Sequence, residues 1–348
     1  MPNINFTSSS DGDLGNRFIS KDYLMSVYPQ IAGQLITPEL WTWGRNIFAI
    51  GDNTGTDRST PVTTLAGGAN WKQVAAGYLV TIAIKTDGTL WTWGRNNLGQ
   101  LGTNNTTDRS TPVTTFAGGT NWKQVSGGRG TSVAIKTDGT LWTWGDNSYG
   151  KLGDNTATNR STPVTTFAGG TNWKQVACGG YHTAAIKTDG TLWTWGRSFF
   201  GAIGDNTTTN RSTPVTTFAG GTNWKQVAGG QFHTAAIKTD GTLWTWGSAG
   251  FGGLGVNDNT QRLTPITTFA GGTNWKQVSC TINNIAAIKT DGTLWTWGWN
   301  FYGQLGDNTT TNRCTPVTTF AGGTNWKQVS GGETHTAAIR TSDDLQGI

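Results

Sequence analysis

The sequence predicts an all-β fold: a closed six-bladed β-propeller of four-stranded blades, preceded by a short N-terminal adapter that contains a helix. The tryptophan pair of the motif WTWG starts at Trp41 and recurs five more times, first after 50 residues and then every 51. Each unit holds four short segments rich in β-branched and aromatic residues, separated by Gly, Asn, Asp or Pro. Four strands in a repeat of this length are typical of a propeller blade.

Within a unit the predicted strands are LWTWG, TPVTTF, WKQV and an AIK-type strand. Asp-Gly pairs such as Asp87-Gly88 supply the positive φ that a tight hairpin needs, so they join the AIK strand to the next LWTWG strand. Trp41 and Trp43 lie two residues apart, so their rings leave the same face of the strand and wedge between blades. Of the 19 tryptophans only Trp299 lies outside the two repeated motifs.

The order of the strands predicts how the ring closes. The repeats open with LWTWG at residues 40–44 and end with an AIK-type strand near the C-terminus, so the two halves of one hairpin lie at opposite ends of the chain. Pairing them leaves no unpaired strand edge. We therefore predict an adapter over residues 1–34 and a propeller over 35–348 that is closed by pairing of the C-terminal strand with residues 40–44.

The run AIKTDGTLWTWGDNSYGKLGDN at 134–155, together with GGYHTAAI at 179–186, resembles the regulator of chromosome condensation repeat. The resemblance implies the propeller fold. It implies no single function, because that family includes nucleotide-exchange factors for small GTPases, chromatin binders, ubiquitin ligase modules and light receptors. Two departures stand out: the family usually has seven blades, and the His of the His-Thr pair occurs here only at His182, His233 and His335.

The first 34 residues differ in kind from the repeats. The segment GDLGNRFISKDYLMSVYPQI places apolar residues near helical spacing and predicts a short amphipathic helix. This leader resembles the start of tailed-phage virion proteins in which a short adapter precedes a repeat head. The resemblance implies docking to other virion proteins, and the candidate docking residues are Phe18, Tyr23, Leu24, Val27 and Tyr28.

The six units are nearly identical, so the positions that differ between them indicate a candidate binding face. Differences concentrate after WTWG and after the WKQV strand, and both sets of loops are expected on one side of the propeller. The candidate contact residues are Arg95, Asn97, Ser148, Phe199, Trp299, Phe301, Tyr78, Arg129, Tyr181, Phe232, Asn283 and Glu333. Drift of duplicated units where packing constrains them least is the alternative explanation.

A second group of variable residues recurs at one equivalent place after the WTWG motif. We interpret this group as packing between blades rather than as ligand contacts. Its members are Phe48, Leu98, Tyr149, Phe200, Phe251 and Tyr302.

The formal net charge of +5 arises mostly from the repeats, because three rings of equivalent Lys and Arg account for 18 of 25 basic residues. The AIK lysines are expected to pair with the Asp two residues later, and the Arg before STP to donate to loop carbonyls. Basic residues spread by symmetry do not form a nucleic-acid stripe, so no specific nucleic acid is predicted.

Chemistry for catalysis is not indicated. The three cysteines lack disulfide or zinc spacing, most acidic residues recur identically in turns, and the histidines lie in separate units. The sequence predicts no catalytic residues, no metal site and no cofactor. No apolar run long enough to cross a bilayer and no secretory signal are present in it, so no membrane insertion is predicted.

These features favour a non-enzymatic phage virion protein, made in the host cytoplasm, that forms a tail, fibre or capsid-displayed propeller. Residues 1–34 would bind other virion proteins, and the variable loops would bind a host surface protein, a glycan or a neighbouring virion protein. The alternative is a bacterial protein-interaction module or a regulator of a small GTPase. The ligand and any homo-oligomerisation stay open.

Overall fold

A computed structural model describes residues 39–66, 70–332 and 334–341. The predicted adapter helix and its docking residues Phe18, Tyr23, Leu24, Val27 and Tyr28 lie outside the described residues. In the described part of the chain the regular structure consists of 24 strands and two single-turn 3-10 helices. The prediction of an all-β fold is confirmed.

The strands have the following bounds. The first twelve are β1 (Trp41–Gly44), β2 (Arg58–Thr63), β3 (Trp71–Gly77), β4 (Val80–Lys85), β5 (Leu90–Gly94), β6 (Arg109–Thr114), β7 (Trp122–Gly127), β8 (Thr131–Lys136), β9 (Leu141–Gly145), β10 (Arg160–Thr165), β11 (Trp173–Cys178) and β12 (His182–Lys187). The second twelve are β13 (Leu192–Gly196), β14 (Arg211–Thr216), β15 (Trp224–Gly229), β16 (His233–Lys238), β17 (Leu243–Gly247), β18 (Arg262–Thr267), β19 (Trp275–Cys280), β20 (Asn284–Lys289), β21 (Leu294–Gly298), β22 (Arg313–Thr318), β23 (Trp326–Gly331) and β24 (Thr336–Arg340). The 3-10 turns are Ser148–Gly150 and Gly250–Gly252.

The strands form antiparallel sheets in simple sequence order. Five sheets have four strands: blade 1 is β3–β6, blade 2 is β7–β10, blade 3 is β11–β14, blade 4 is β15–β18 and blade 5 is β19–β22. Two sheets have two strands, an N-terminal half-blade of β1–β2 and a C-terminal half-blade of β23–β24. Among the described residues no strand ladder joins β24 to β1. The predicted closing pair therefore stays a prediction.

A ladder of glutamine side chains joins the innermost strands of neighbouring blades. In blade 3 the Gln175 side-chain amide donates to the Val227 carbonyl oxygen at 3.2 Å, and its oxygen accepts from the Val227 backbone nitrogen at 3.0 Å. The same residue pairs repeat from blade 1 to the C-terminal half-blade, where Gln277 binds Val329. The WKQV strands therefore line the propeller axis.

In blades 1 to 4 the second tryptophan of the WTWG motif binds the preceding sheet through its indole nitrogen. Trp195 is fully buried, and its indole Nε1 donates to the Lys151 carbonyl oxygen of blade 2 at 2.8 Å. The Thr183 hydroxyl donates to the same oxygen at 2.9 Å. Gly153 packs so closely that a Cβ there would lie 2.8 Å from the Trp195 Nε1. The predicted wedge between blades is confirmed for this ring, and a large apolar side chain buried in this way contributes several kcal/mol.

The predicted pairing of the AIK lysines with the Asp two residues later was wrong. The Asp87 carboxylate accepts hydrogen bonds from the backbone nitrogen and hydroxyl of Thr89 at 2.9 and 2.7 Å, while the Lys85 ammonium lies over the Trp71 and Trp91 rings at 4.9 and 4.6 Å. Donors in the same turn bind a turn carboxylate at a lower free-energy cost than a long side chain that must first be ordered. The cation instead gains from two ring faces at once.

The ring of arginines at the start of the outer strands binds carboxylates rather than loop carbonyls. Arg160 donates from Nε and NH2 to the Asp154 carboxylate, each at 2.8 Å, and the arrangement recurs in other units. Two arginines differ: Arg262 binds both Asp258 and the carbonyl of Thr260, and the Nε of Arg109 has no hydrogen-bond partner among the described residues. Burial would raise the pKa of Asp154, but the Thr156 and Arg160 hydrogen bonds outweigh it and lower that pKa. Each ion pair stabilises the long loop that begins after WTWG.

Candidate binding face

Both variable loop sets emerge at one end of the blades, as predicted. In blade 3 the strand register places His182 opposite Gly196, so the turn before β12 and the loop after β13 lie side by side. The Arg197 backbone nitrogen donates to the Tyr181 carbonyl at 2.9 Å, which ties the two loops together. Arg95 makes the same bond to Leu79 in blade 1 at 2.8 Å. We call this end of the propeller the variable face.

A cluster of rings around two guanidinium groups occupies part of this face. The Arg129 guanidinium lies 5.2 Å from the Tyr78 ring centroid and 5.5 Å from that of Tyr181, and it donates to the Tyr181 hydroxyl at 2.8 Å. Tyr181 also stacks on Phe232 with centroids 4.9 Å apart. These contacts join side chains from four successive blades, and they hold the guanidinium in a fixed orientation.

The second guanidinium of the cluster belongs to Arg197. It lies 4.7 Å from the Tyr149 ring centroid, 5.3 Å from Tyr181 and 5.5 Å from Phe199. Phe199 is 59% exposed, so one aromatic surface beside this charge is open to solvent. We name Tyr78, Arg129, Tyr149, Tyr181, Arg197, Phe199, Phe200 and Phe232 the arginine–aromatic cluster.

A cleft opens where the cluster meets the loop after β5. Its volume is about 240 Å³, and Tyr78, Arg95, Asn97, Arg129 and Tyr181 contribute to its walls. Arg95, Asn97 and Arg129 are exposed. The Asn97 side-chain oxygen accepts from Gln100 at 3.3 Å, so the amide nitrogen of Asn97 is the group that can donate to a ligand. We name this pocket the Arg129 cleft.

The Asp146 carboxylate in the wall of the cleft is neutralised by an ion pair with Lys151. The ammonium of Lys151, 2% exposed, donates to the Asp146 carboxylate at 2.6 Å and to the Arg129 carbonyl oxygen at 2.9 Å. Burial alone would raise the pKa of Asp146, but the charge of Lys151 and the hydrogen bonds from Lys151 and Ser148 together outweigh it and lower that pKa. Because Asp146 is ionised and paired with Lys151, the positive charge of Arg95 and Arg129 at the cleft is not cancelled.

A second aromatic cluster lies on the loop after β21. Trp299 stacks on Phe301 with centroids 6.4 Å apart and meets Tyr302 edge-on at 5.4 Å. The ring of Phe251, from the preceding blade, lies 6.0 Å from Trp299. Phe301 and Tyr302 are 66% and 63% exposed. Exposed rings on a loop are a common feature of protein contact sites.

The structure brings most of the predicted contact residues into these groups. The residues that it places in the arginine–aromatic cluster or the Arg129 cleft are Tyr78, Arg95, Asn97, Arg129, Tyr181, Phe199 and Phe232. Trp299 and Phe301 form the second cluster, and the Asn283 carbonyl accepts from the Trp299 backbone nitrogen at 3.2 Å. The Ser148 hydroxyl donates to Asp146 at 2.6 Å. Glu333 lies outside the described residues.

Sequence reasoning missed part of the site. Tyr149 and Phe251 meet the rings of Tyr181 and Trp299 from the next blade, in agreement with the packing interpretation. Together with Tyr302 they are also 43%, 50% and 63% exposed, so these rings add to the surface of the variable face. Tyr149 and Phe251 adopt a left-handed φ of 70° and 59° inside the two 3-10 turns, which directs the ring outward. Arg197 was not selected either, although it follows WTWG in the same position as Arg95 and Trp299.

The opposite end of the blades carries an equivalent exposed apolar side chain in each unit, which is Phe in five units and Leu in one. Thr165 lies opposite Trp142, at the Asp-Gly end of β9, and Phe167 follows two residues later with 66% exposure. The equivalent exposed side chains are Leu65, Phe116, Phe218, Phe269 and Phe320. Phe167 is therefore a matched control for Phe199, with the same side chain and similar exposure on the other face.

Potential nucleophiles lie near the axis. A pit of about 340 Å³ is lined largely by glycines of the innermost strands, with Cys178 and Cys280 among its walls. Burial raises the pKa of the Cys178 thiol to about 12, so this thiol is protonated at neutral pH.

In the described residues no group of three or more His, Cys, Asp or Glu side chains has the arrangement of a metal site. No described helix has the length and apolar character needed to cross a membrane.

The blades, the axial glutamine ladder and the loop-borne clusters at one end define a β-propeller with a distinct variable face. Family models agree. The RCC1-like domain model matches residues 115–347, and models of the regulator of chromosome condensation repeat match residues 87–135 and 71–100. The chain belongs to the RCC1-like domain family.

Known relatives are similar over parts of their length. The ultraviolet-B receptor UVR8 of Arabidopsis thaliana is 33% identical over 79% of this chain and 64% of the receptor. The probable E3 ubiquitin-protein ligase HERC4 of Homo sapiens is 30% identical over 60% of this chain and 20% of the ligase. The chain thus spans less than two thirds of each of these relatives.

Solved structures share the fold. Human WBSCR16 superposes with a TM-score of 0.76 at 22% identity, over 87% of this chain and 81% of that one. Prp20p of Saccharomyces cerevisiae, whose structure was described together with its binding to Gsp1p and histones, has a TM-score of 0.75 at 19% identity, over 88% and 79%. At these identities the likeness concerns the fold alone.

Proposed function

We propose that the chain is a non-enzymatic binding propeller of a tailed-phage particle, whose variable face contacts the host surface. The observation that carries the proposal is the arginine–aromatic cluster: partly exposed rings and two guanidinium groups at positions that differ from repeat to repeat, on a frame that hardly changes. Tyr, Trp, Phe and Arg supply much of the contact energy in protein interfaces. Drift alone favours no residue type.

The location in a particle rests on the likeness of residues 1–34 to virion adapters. Mass spectrometry of purified particles is expected to detect the full-length chain. Deletion of residues 1–34 should leave the propeller in the infected-cell lysate and remove it from particles, because the adapter would supply the docking contacts. Full incorporation of the deletion variant would overturn the docking role, and absence of the unaltered chain from particles would overturn the virion role.

Binding through the variable face has its own test. We expect Phe199→Ala or Arg197→Ala to lower binding of the purified full-length chain to host cell envelopes at least tenfold, since truncating a contact hot spot costs about 2 kcal/mol or more. Phe167→Ala, which removes an exposed ring from the opposite end, should bind like the unaltered chain. Equal losses for Phe199→Ala and Phe167→Ala would show that exposed apolar area, not the variable face, drives binding.

The alternative is a regulator of a small GTPase, one of the functions implied by the resemblance to the regulator of chromosome condensation repeat. A nucleotide-release assay with GTPases of the same host separates the two functions. Accelerated release that Arg197→Ala abolishes, together with unchanged envelope binding, would favour the regulator.

A further inference from the structure

We propose that the Arg129 cleft binds a carboxylate-bearing sugar of an acidic polysaccharide. The inference deepens the proposed function, on which it rests, by assigning a ligand class to one part of the variable face. It depends on three properties of the cleft: its uncancelled charge, the fixed orientation of its guanidinium groups, and its mixture of amide and phenol groups.

The charge of the cleft selects an anion. Arg95 and Arg129 reach it, and Arg197 contacts Tyr181 from the other side. The carboxylate of the wall, Asp146, is already bound by Lys151 at 2.6 Å. No other acidic side chain lines the cleft among the described residues. A ligand that lacks negative charge would leave these cations without a counter-charge, whereas an anion gains charge-assisted hydrogen bonds.

The orientation of Arg129 selects a planar anion such as a carboxylate. Its guanidinium is held against Tyr78 and Tyr181, and one nitrogen is bound to the Tyr181 hydroxyl at 2.8 Å. The remaining donors form a fork of fixed direction, which fits the two oxygens of a carboxylate. Because the rings restrict the guanidinium before binding, little rotamer freedom is lost when the ligand arrives.

The remaining walls favour a sugar over an acidic peptide or a nucleic acid. The amide nitrogen of Asn97 and the phenols of Tyr78 and Tyr181 are suited to hydroxyl groups, which an Asp or Glu side chain lacks. A nucleobase needs an open ring face, but the Tyr181 ring is already in contact with Phe232 at 4.9 Å and with the guanidinium groups of Arg129 and Arg197 at 5.5 and 5.3 Å. At about 240 Å³ the cleft lies just below the usual range for small-ligand pockets, which fits a single ring unit.

The neighbouring sugars of the same polysaccharide continue along the variable face. The ring of Phe199 lies beside Arg197 and is 59% exposed, so it offers an apolar face next to a second cation. A polymer would then gain from repeated contacts, each with a local concentration set by its linkage to the first.

The test uses the full-length chain and a matched pair of polymers. Isothermal titration calorimetry with polygalacturonate is expected to show binding, and the same polymer fully methyl-esterified, which keeps the rings and hydroxyls but loses the charge, should bind at least tenfold more weakly. Poly-glutamate and oligo-dT are the acidic-peptide and nucleic-acid probes. Binding of either as tight as polygalacturonate would overturn the assignment to a sugar.

Variants separate the cleft from net charge. We expect Arg129→Gln to weaken polygalacturonate binding at least tenfold, and Arg129→Lys to weaken it nearly as much, because an ammonium keeps the charge but loses the fork. Lys123→Gln removes a charge from an exposed position of β7 and should leave affinity unchanged. Equal effects of Lys123→Gln and Arg129→Gln, or full affinity of Arg129→Lys, would overturn the proposal.

Envelope binding and polygalacturonate binding together distinguish failure of the sugar assignment from failure of the proposed function. If the chain binds host envelopes through Phe199 but does not bind polygalacturonate, the sugar assignment is wrong and the variable face keeps its proposed function. If envelope binding is absent as well, the proposed function itself is wrong.

Discussion

Trp43→Ala is expected to lower the free energy of unfolding by about 3–5 kcal/mol, as much as Trp195→Ala, because ring closure would bury the Trp43 side chain. With β1 paired only to β2, Trp43 is 61% exposed, whereas Trp195 is fully buried. Truncating a side chain that exposed would cost far less. The stability of this variant therefore reports directly on whether the two half-blades meet.

Repeat symmetry defines the partners that closure would bring to Trp43. In blade 3, Thr183 lies opposite Trp195, and both side chains donate to the Lys151 carbonyl oxygen. At the C-terminus, Thr336 already donates to the equivalent Gln304 carbonyl oxygen at 2.9 Å. If β24 pairs with β1 in the same register, Thr336 lies opposite Trp43, and the Trp43 indole becomes the second donor to that oxygen.

The axial glutamine ladder also indicates contact between the N-terminal and C-terminal half-blades. The valines whose backbone nitrogen donates to a preceding glutamine are 2–3% exposed, but Val74, at the start of the ladder, is 48% exposed. Gln328, at its other end, is also exposed. Closure would place these two residues against each other and extend the ladder around the whole ring.

A glycine pair provides a second measurement in case Trp43→Ala fails to fold. Gly255 and Gly306 have similar φ values of +68° and +65°, so alanine costs about the same backbone strain at both, roughly 1–2 kcal/mol. A Cβ at Gly255 would lie 2.6 Å from the Trp297 Nε1, whereas one at Gly306 finds only the Thr319 methyl group at 3.9 Å. If the ring is closed, Trp43 would lie against Gly306 as Trp297 lies against Gly255. We therefore expect Gly255→Ala and Gly306→Ala to be equally destabilised. If Gly306→Ala is clearly milder and Trp43→Ala costs less than about 1 kcal/mol, the ring is open.

The sequence was sufficient for those features of the fold that depend on residues close together in one repeat. The Asp-Gly turn predicted at Asp87-Gly88 is present, with a φ of +81° at the glycine, because a hairpin turn is determined by its own few residues. Four strands per blade followed from the same local patterns. The axial position of the WKQV strand could not be predicted from such patterns, because it depends on the hydrogen bond from Gln175 to Val227 in the next blade.

The candidate site was predicted less completely, for the same reason. The variable positions could be found by comparing units, which placed Tyr181 and Phe232 among the candidates. The importance of Arg197 could not be seen that way. Its guanidinium lies among Tyr149, Tyr181 and Phe232, which belong to three different blades, and no local sequence pattern encodes that meeting.

Two buried histidines predict a loss of stability in mild acid. His182 and His233 begin β12 and β16 and are 1% and 2% exposed. Burial, and for His182 also the charge of His233, lowers the pKa from 6.5 to about 3 for His182 and to about 4 for His233. The Thr234 hydroxyl donates to the Ala202 carbonyl, so His182 Nε2 must donate to that hydroxyl, and its Nδ1 has no described partner for a second proton.

The direction of the effect follows from the lowered pKa of both imidazoles. Above pH 6.5 the imidazoles are neutral in the folded and unfolded chains, and their full contribution to stability is present. As the pH falls below 6.5, the unfolded chain takes up protons that the folded chain refuses, so stability is lost progressively toward pH 4 and below. At pH 5 each histidine should cost about 2 kcal/mol, since one pKa unit corresponds to about 1.4 kcal/mol.

The chain itself supplies replacements for these two positions, because the equivalent residues in blades 2 and 5 are Thr131 and Asn284. We expect the double variant His182→Thr, His233→Asn to lose little stability between pH 7.5 and pH 5 in urea unfolding, whereas the unaltered chain loses about 4 kcal/mol. Thr131→Asn, which changes the same position without adding or removing a titrating group, should keep the slope of the unaltered chain. A flat profile for the unaltered chain would contradict the burial of neutral imidazoles, and a steep profile that the double variant retains would show that these two histidines are not the cause of the acid sensitivity.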